Sequence, residues 1–485
     1  MAASLLTLFY CAFLFEGYWK LFRDSDTGWH IRNGESMLSS GWLPRVDPYS
    51  FSRAGQPWYA WEWAADAGMG LAHRTGGMQG VAALYLTAIA VCTWLWFRLH
   101  WAAGGDFLLA CALASPMLST VNLHWLARPH VFGWLLLMIA VLAAERAPER
   151  FRLRHYALAA ALAAAWANVH ASFFLAPAVA LVYAAHHLAR PWLWELDAPS
   201  ERRRAASFAR AAAAAMAGTF VNPYGWRLHQ HIARYLADTD LLSRVGEFQS
   251  FNFHAEGSAQ ILLALSVATA GGVLALSQRN IAHFLLAAGL LAIALRSARG
   301  LPVAALVLLP LANGAITTAW RRARAVRAGV RSGIESWLDY SGKLRRIDAG
   351  MRGLALAPLA VAAMALVLPD AGFPASQFPV AAAGEVAKLP GEARLLAPDR
   401  FGGYLIYRFA GQRKVFFDGR SDFYGAGFMK DYIRLVQVRP GWKQQVDAFG
   451  FTHALLPADY SLVAALEREG WRRTYEDKTA VLLRR

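Results

Sequence analysis

Residues 261–276, ILLALSVATAGGVLAL, form an apolar run that extends at both ends to the ~20 residues that a membrane-spanning helix needs. Residues 354–368 form a second run of this kind. Of the 485 residues, 56% are hydrophobic and only 17% are charged, and the mean hydropathy is +0.28. This composition is too apolar for an ordinary soluble protein, and the chain is too long for one domain. The sequence therefore predicts an α-helical polytopic membrane protein.

The net charge of +16 raises the question of a nucleic-acid partner. The basic residues lie in short segments between apolar runs, which is how membrane proteins set their orientation, and no basic stripe alternates with stacking aromatic residues. We therefore expect no nucleic-acid partner and expect contact with membrane lipids. Cys11, Cys92 and Cys111 lie in apolar runs without disulfide or metal spacing, which predicts small core residues.

Apolar periodicity predicts about eleven spans, with the first retained rather than removed as a signal peptide. The spans are residues 2–21, 77–98, 105–122, 130–145, 155–170, 172–189, 206–221, 258–277, 280–296, 300–319 and 353–369. With the N-terminus in the cytoplasm, alternation places nearly every dense arginine cluster inside, as the positive-inside rule requires. These clusters include residues 146–154, 190–204 and 321–352.

Two long segments face the outside in this topology. The first outer loop, residues 22–76, is rich in tryptophan, which suits the membrane interface, and Ile31–Ser40 could form a short helix lying on the membrane. The predicted strands of the C-terminal segment are Arg394–Leu396, Tyr404–Tyr407, Lys414–Asp418, His453–Leu456 and Ala480–Leu483. Its predicted helices are Val380–Lys388, Phe428–Val436 and Leu462–Gly470. We predict a membrane domain, 1–369, and a small extracytoplasmic α/β domain, 370–485, in which Gly402-Gly403 is a turn or a bulge before a strand.

Ionisable residues at span ends are costly unless they pair or function. In the predicted topology the unusual polar residues share the outer face, although they lie far apart in sequence. They are Asp24, Asp26, His30, Arg32, Glu62, Asp66, Arg128, His130, Asn168, His170, Asn222, Tyr224, Glu247, Arg296 and Arg299. One face of the membrane can therefore bring them into one site.

Asp24 and Asp26 come directly after the first predicted span. Two carboxylates at this spacing can bind a divalent cation such as Mg²⁺ or Mn²⁺, or one of them can act as a base. They could equally be a solvated helix end. Asp26 and His30 are four residues apart and would share one face of a helix.

Arg128 and His130 precede a span, and Arg296 and Arg299 lie between two spans. Such arginines can clamp phosphate oxygens, or they can reach lipid headgroups as a structural feature. Positive charge on the outside runs against the usual bias, which favours an anionic substrate. His170, in an otherwise apolar stretch, is either functional or hydrogen-bonded to a neighbouring helix.

The segment DSDTGWHIRNG (24–34) resembles the acidic first-loop motif of the multi-spanning GT-C glycosyltransferases. This superfamily includes oligosaccharyltransferases, protein O-mannosyltransferases and aminoarabinose transferases. The spacing of Asp26 and Arg32 is similar to that of an aspartate and an arginine in the oligosaccharyltransferase loop. Further motifs resemble a bacterial branch across essentially the whole chain. They are RPHVFGWLL (128–136), WANVHASF (166–173), NPYGW (222–226), RSARGLP (296–302) and FGGYLIYR…KVFFDGRSDFY (401–424).

The resemblance implies an inverting transferase of the bacterial inner membrane that takes a sugar from a polyprenyl-phosphate donor at the outer leaflet. It implies that Asp26 or Asp24 acts as base or holds a metal, and that basic residues neutralise the lipid phosphate. The acceptor would be a lipid, a glycan or a protein. The D-x-D motif leaves open which aspartate is catalytic, and the small C-terminal segment argues against transfer of whole glycans to sequons.

Two other functions remain as alternatives. A transporter would place charges at the membrane midplane and show internal repeats, whereas these charges lie at span ends. A non-catalytic scaffold for envelope assembly would leave the acids and arginines of the outer face unexplained.

Overall fold

The computed structural model of the chain describes residues 20–323, 326–350 and 371–485. Cys11, nearly all of the predicted span 2–21 and the whole of the predicted span 353–369 lie outside the described residues.

The described chain up to residue 350 is mostly helical. Its helices are α1 (Asp26–Ser40), α2 (Trp63–Ala102), α3 (Phe107–Val121), α4 (His130–Glu145), α5 (Leu153–Ala167), α6 (Leu175–Leu193), α7 (Ala198–Thr219), α8 (Trp226–Ala237), α9 (Thr239–Leu242), α10 (Ser258–Ser277), α11 (Ile281–Arg296), α12 (Gly300–Arg322) and α13 (Ala328–Gly350). The predicted spans between residues 77 and 319 all fall on helices of this set.

Within the described residues, five helical stretches are long and apolar enough to cross a membrane. They are Trp63–Ala102, Phe107–His124, Ala171–Leu193, Ser258–Ser277 and Gly300–Arg322. Helices α4 and α11 are apolar but shorter. The prediction of an α-helical polytopic membrane protein is confirmed, whereas the number of eleven spans stays a prediction.

Helix α2 begins well before the predicted span 77–98 and bends at Gly76 and Gly77. Gly77 has a φ of 57°, which other residues rarely adopt, so this glycine lets the chain change direction without ending the helix. The part of α2 before the bend packs against α1. The first outer loop is therefore partly built from two packed helices.

Helix α1 contains the predicted helix Ile31–Ser40 but begins at Asp26. An acidic residue in the first turn is favourable because it interacts with the positive end of the helix dipole. The earlier start brings Asp26 into the helix, one turn before His30. Both side chains are buried, so α1 is a packed element of the structure rather than a loosely attached surface helix.

The C-terminal segment contains a small four-stranded sheet. Its elements are α14 (Ala382–Ala387), β1 (Leu395–Leu396), α15 (Asp399–Arg408), α16 (Ser421–Val436), α17 (Trp442–Phe449), β2 (His453–Pro457), α18 (Ser461–Arg468), β3 (Arg472–Glu476) and β4 (Ala480–Arg484). The strand order is β1-β2-β4-β3; β1 pairs with β2 in parallel and the other pairs are antiparallel. Strands β2 and β4 alternate their side chains between two apolar cores, one on each face of the sheet.

Two predicted strands of this segment were wrong. Tyr404–Tyr407 lies in α15, and Gly402-Gly403 belongs to the same helix rather than to a turn. Lys414–Asp418 lies outside the sheet, and its Val415 exchanges backbone hydrogen bonds with Tyr49 and Phe51 of the first outer loop, at 2.9 and 3.0 Å. Tertiary packing therefore decided the conformation of both stretches.

The core on one face of the sheet is shared with the first outer loop. Trp29 and Trp58 are buried in it beside Phe401 and Leu455. For these two tryptophans of residues 22–76, the prediction that the tryptophans of this loop suit the membrane interface was wrong. Trp42, in contrast, is 80% exposed. The loop and the C-terminal segment are thus joined by apolar packing as well as by backbone hydrogen bonds.

Gly34→Ala should destabilise the protein, because a Cβ atom at this position would lie 1.7 Å from the Asp66 carbonyl oxygen. Overpacking of this kind typically costs about 1–3 kcal/mol. We expect a fall of several degrees in the apparent unfolding temperature, measured by differential scanning fluorimetry in detergent. Gly68→Ala, where nothing lies within 4 Å of the added atom, is the control and should be neutral or slightly stabilising. Equal stability of the two variants would contradict the close packing of α1 on α2.

Candidate active site

The start of α1, with the residues just before it, meets the loop before α4 at two carboxylates and one guanidinium. Arg128 Nη1 lies 2.9 Å from Asp24 Oδ2, and Arg128 Nη2 lies 2.9 Å from Asp26 Oδ2. Asp24 Oδ1 accepts a hydrogen bond from the Asp26 backbone N–H at 2.9 Å. The Thr27 hydroxyl donates to the Ala127 carbonyl at 3.1 Å and holds the two segments together. The structure therefore joins residues that the sequence separates by about one hundred positions.

Glu247 extends this cluster to Arg299. Arg128 Nη1 lies 3.2 Å from Glu247 Oε1, and Arg299 Nε donates to Glu247 Oε2 at 2.5 Å. The Arg299 backbone N–H and the Ser297 hydroxyl both donate to the Glu247 carbonyl, at 3.2 and 3.0 Å. Three carboxylates and two guanidiniums thus form one network, whose net charge is −1 when all five groups are ionised (two positive minus three negative).

Burial alters the proton affinities of this network. It raises the pKa of Asp26, against the opposing effect of Arg128. Burial also acts to lower the pKa of Arg128, but Asp24 and Asp26 raise it well above its ordinary value. Burial would likewise raise the pKa of Glu247, but Arg299 and Arg128 hold it below its ordinary value. Of Asp26 and Glu247, therefore, Asp26 is the one that accepts a proton more readily.

The C-terminal segment contributes the turn Asp418-Gly419-Arg420. This turn lies in the C-terminal motif, residues 401–424, but the sequence did not predict a role for it in the site. A Cβ atom at Gly419 would lie 2.0 Å from Asp26 Oδ1, so only glycine leaves room for that carboxylate. Arg420 Nε and Nη2 each donate to Asp418 at 2.7 Å, and Nη2 lies 2.8 Å from Asp47 Oδ1. These buried charges hold the turn against Asp26. The signal in the sequence was the group of Asp418, Arg420 and Asp422 between two aromatic pairs, 416–417 and 423–424.

A second group of acids and histidines lies on α1 and at the start of α2. His30 Nδ1 is 2.6 Å from Asp66 Oδ1, and Asp66 Oδ2 accepts a hydrogen bond from Asn33 at 2.6 Å. Glu62 Oε2 lies 3.9 Å from His30 Nε2, and Glu62 Oε1 lies 3.7 Å from His170 Nε2. Burial raises the pKa of Glu62 to about 8 and lowers the pKa of His30 well below its ordinary value. Both groups therefore favour their neutral forms.

Three of the predicted site residues connect the framework around these groups. Asn168 Oδ1 accepts a hydrogen bond from Trp63 Nε1 at 2.7 Å, which ties the end of α5 to the start of α2. Asn222 Oδ1 accepts one from the Tyr224 N–H at 2.8 Å, and the Tyr224 hydroxyl accepts one from the Ala60 N–H at 2.9 Å. These contacts position the end of the first outer loop.

The other predicted residues have separate contacts. Arg32 Nε donates to the Tyr407 carbonyl at 2.8 Å, and its guanidinium lies 4.5 Å from the centre of the Tyr407 ring. His130 Nε2 lies 2.6 Å from the His124 carbonyl oxygen, which can only accept, so this nitrogen carries the proton. Arg296 is exposed at the end of α11. Arg32 therefore supports the packing of α1 on the C-terminal segment.

Asp24 and Asp26 were also candidates for holding Mg²⁺ or Mn²⁺. These cations need several oxygen ligands, but both carboxylates already pair with Arg128. Among the residues that the structure describes, no group of three or more His, Cys, Asp or Glu could hold a metal ion. This donor set does not fit a divalent cation, and the chemistry proposed below uses side chains alone.

Comparison with known proteins shows the fold. No protein-family model and no curated protein matches the sequence. Archaeal oligosaccharyltransferase AglB from Archaeoglobus fulgidus, in complex with an inhibitory peptide and a dolichol-phosphate, matches 94% of this chain and 68% of its own, with a TM-score of 0.60 and 9% identity. The apo oligosaccharyltransferase of the same organism matches over the same shares, with a TM-score of 0.57 and 10% identity.

ArnT from Cupriavidus metallidurans, bound to undecaprenyl phosphate, matches 99% of this chain and 96% of its own, with a TM-score of 0.51 and 15% identity. At such low identities these matches show a shared architecture. The chain is therefore a multi-pass membrane protein with a GT-C-like fold, as the sequence resemblance predicted.

Glu62→Gln should become more stable relative to the unchanged protein as the pH rises. The folded protein keeps the Glu62 proton up to a pKa of about 8, whereas the unfolded chain releases it near the ordinary value of 4.5. The unchanged protein therefore loses stability between these two pH values, by at most ~1.4 kcal/mol per pH unit. The amide of the variant does not titrate. The difference in unfolding temperature should widen from pH 5 to pH 8 and stay constant above it.

Glu35→Gln is the matched control, because Glu35 is also a half-buried acid beside a histidine, with His73 Nδ1 at 2.6 Å. Burial acts to raise its pKa, but hydrogen bonds from Arg32 and His73 lower it below the ordinary value. Because its pKa lies below the ordinary value of 4.5, Glu35 does not share the high-pH titration of Glu62, and the difference for this variant should not widen up to pH 8. A constant difference for Glu62→Gln over pH 5–8 would contradict the burial of its neutral form.

Proposed function

We propose that the chain is an integral-membrane glycosyltransferase that transfers a sugar from a polyprenyl-phosphate donor to an acceptor at the outer face of the membrane. The observation that carries this proposal is the network of Asp24, Asp26, Arg128, Glu247 and Arg299, built from loop ends that converge at one end of the helices. The GT-C-like fold supports it, since AglB and ArnT, which share this fold, were solved in complex with a dolichol-phosphate and with undecaprenyl phosphate.

The chemistry is an inverting displacement. The oxygen of an acceptor hydroxyl bonds to the anomeric carbon of the sugar, the bond from that carbon to the phosphate oxygen breaks, and its electron pair leaves with the lipid phosphate. Asp26 takes the hydroxyl proton, for which its raised pKa suits it. Asp24 supports this role by accepting from the Asp26 N–H and by sharing Arg128.

Arg299 and Arg128 stabilise the phosphate as its negative charge develops. The Arg299 side chain is 37% exposed, against 16% for Arg128, so Arg299 is the more accessible guanidinium. Glu247 pairs with both, and an incoming phosphate must compete with it. Among the predicted phosphate ligands, His130 and Arg296 are secondary, because His130 bonds to the backbone and Arg296 is exposed.

We place the site at the extracytoplasmic face of the bacterial inner membrane, with the N-terminus in the cytoplasm. The direction of α4 supports this, because the helix starts at His130 beside the network and ends at Glu145, directly before the arginine-rich residues 146–154. We keep the division into a membrane domain, 1–369, and a C-terminal domain, 370–485. The contact of Gly419 with Asp26 supports a direct part for the second domain in the site.

Asp26→Asn should reduce turnover by at least ~100-fold, because the amide cannot take up the proton. Purified protein is incubated with a panel of polyprenyl-phosphate hexoses, and the release of polyprenyl phosphate is measured, which requires no knowledge of the acceptor. Binding of undecaprenyl phosphate, followed by native mass spectrometry, should be retained. Asp24→Asn should lose less activity, because Asp24 acts through Asp26 and Arg128.

Asp240→Asn is the control for that experiment, since Asp240 is an exposed acid paired with Arg244 one helical turn away. Unchanged turnover in both Asp26→Asn and Asp24→Asn would overturn the assignment of this acid pair. Turnover of none of the donors by the unchanged protein would count against glycosyl transfer itself.

Gly419→Ala should lower kcat by ~10–100-fold with a smaller effect on undecaprenyl phosphate binding, because the added Cβ atom must displace the Asp26 carboxylate. The pH dependence of kcat should also shift, since Asp26 would move relative to Arg128. Gly427→Ala in α16 is the matched control, because the space around its Cβ position is open. A lower unfolding temperature with unchanged kcat and pH dependence would show a purely structural role for Gly419.

A further inference from the structure

Glu62, His30 and His170 face one another without forming a direct hydrogen bond. The two imidazole Nε2 atoms lie 3.9 and 3.7 Å from the two Glu62 oxygens, beyond hydrogen-bond distance. His30 is fully buried, and its Nε2 has no partner among the described residues. Since buried polar groups are rarely left unpaired, the unpaired His30 Nε2 marks the gap between it, Glu62 and His170 as a candidate position for a substrate group.

The neighbours of the two imidazoles select opposite tautomers. His30 Nδ1 lies 2.6 Å from an oxygen of the Asp66 carboxylate, which accepts, so in the neutral ring Nδ1 carries the proton and Nε2 offers a lone pair. His170 Nδ1 accepts from the Ser172 backbone N–H at 3.3 Å and lies 2.7 Å from the Ser172 hydroxyl, so its Nε2 carries the proton. One ring therefore presents an acceptor to the gap and the other presents a donor.

A hydroxyl group matches this arrangement, because it donates one hydrogen bond and accepts up to two. Its oxygen can accept from His170 Nε2–H, and its proton can go to His30 Nε2 or to Glu62. An ammonium group could not accept from His170. A fully ionised phosphate has no proton to donate to His30 and would be disfavoured by the adjacent acids. The chemistry of the gap therefore selects a neutral hydroxyl.

We propose that Glu62, His30 and His170 form a subsite that binds one substrate hydroxyl, with Asp66 as the positioning residue that orients His30. This inference rests on the proposed glycosyl transfer. Glu62 lies within electrostatic range of Arg128 and Arg299, so the hydroxyl belongs to the reacting end of the substrates. The donor sugar and the acceptor are its two sources.

The experiment compares each polyprenyl-phosphate hexose that the protein turns over with its monodeoxy derivatives. When the subsite binds a donor hydroxyl, the unchanged protein should lose at least ~10-fold in kcat/KM on one deoxy donor, and Glu62→Ala should not discriminate against it. When the hydroxyl belongs to the acceptor, the unchanged protein should turn over all deoxy donors at similar rates. Glu62→Ala should then reduce the rate of sugar transfer to glycerol, the probe acceptor, more than it reduces the rate of donor hydrolysis. If the experiment shows neither of these two patterns, the proposed subsite is overturned. Glu35→Ala is the control and should resemble the unchanged protein.

A second measurement does not depend on turnover. In ¹⁵N-histidine NMR spectra at pH 7, assigned by His30→Asn and His170→Asn difference spectra, His30 should be neutral with its proton on Nδ1 and His170 neutral with its proton on Nε2. A proton on His30 Nε2, or a charged His30, overturns the subsite. When no donor is turned over, the proposed function fails and the tautomers alone decide the subsite, so the two failures are distinguishable. Asp66→Asn should change the His30 signals alone.

Discussion

The ion pair between Asp26 and Arg128 is the interaction on which the site depends. A charge buried away from water is stable only when it is paired and its remaining hydrogen-bonding groups are satisfied. Asp26 has Arg128 on one oxygen and Gly419 packed against the other. Arg128 in turn contacts Asp24 and Glu247. The position of one carboxylate is therefore determined by four segments that are distant in the sequence.

Close backbone contacts give this arrangement its rigidity. A Cβ atom at Gly28 would lie 2.2 Å from the Gly403 carbonyl oxygen, and one at Gly403 would lie 2.1 Å from the Ser25 carbonyl oxygen. Helices α1 and α15 thus touch backbone to backbone, directly beside Asp26. The Ser25 hydroxyl also donates to the Asp399 carbonyl at 3.0 Å. With a shared apolar core beneath these contacts, the C-terminal segment is a wall of the site rather than a separate attachment.

The sequence predicted the helices well because long apolar runs and their flanking charges are local signals. It also predicted that residues near positions 24, 128, 247 and 299 converge. Because successive spans alternate in direction, these polar residues all fall at span ends on the same face of the membrane. It could not predict which side chains pair. Tyr404–Tyr407 alternates like a strand, but backbone contact through Gly403 requires a helix. Tryptophans such as Trp29 and Trp58 are typical of a membrane interface, yet the C-terminal segment, with Phe401 and Leu455, buries them. No local signal in the sequence reveals this distant contact.

The two clusters of the site differ in charge: the network around Asp26 and Arg128 is made of ion pairs, whereas the group of Glu62, His30 and His170 favours neutral forms. In the first, arginines favour the ionised form of Glu247 and are themselves held ionised by acids, so the charges of this part suit the anion that we propose as a ligand. In the second, burial favours neutral Glu62 and neutral His30, so this part suits the hydroxyl group of the proposed subsite. A sugar phosphate has one end of each kind. Because Glu247 and Arg299 are the more exposed pair of the network, at 31% and 37%, the proposed transfer would have the anionic end of the substrate meet them first and the neutral end reach the buried histidines.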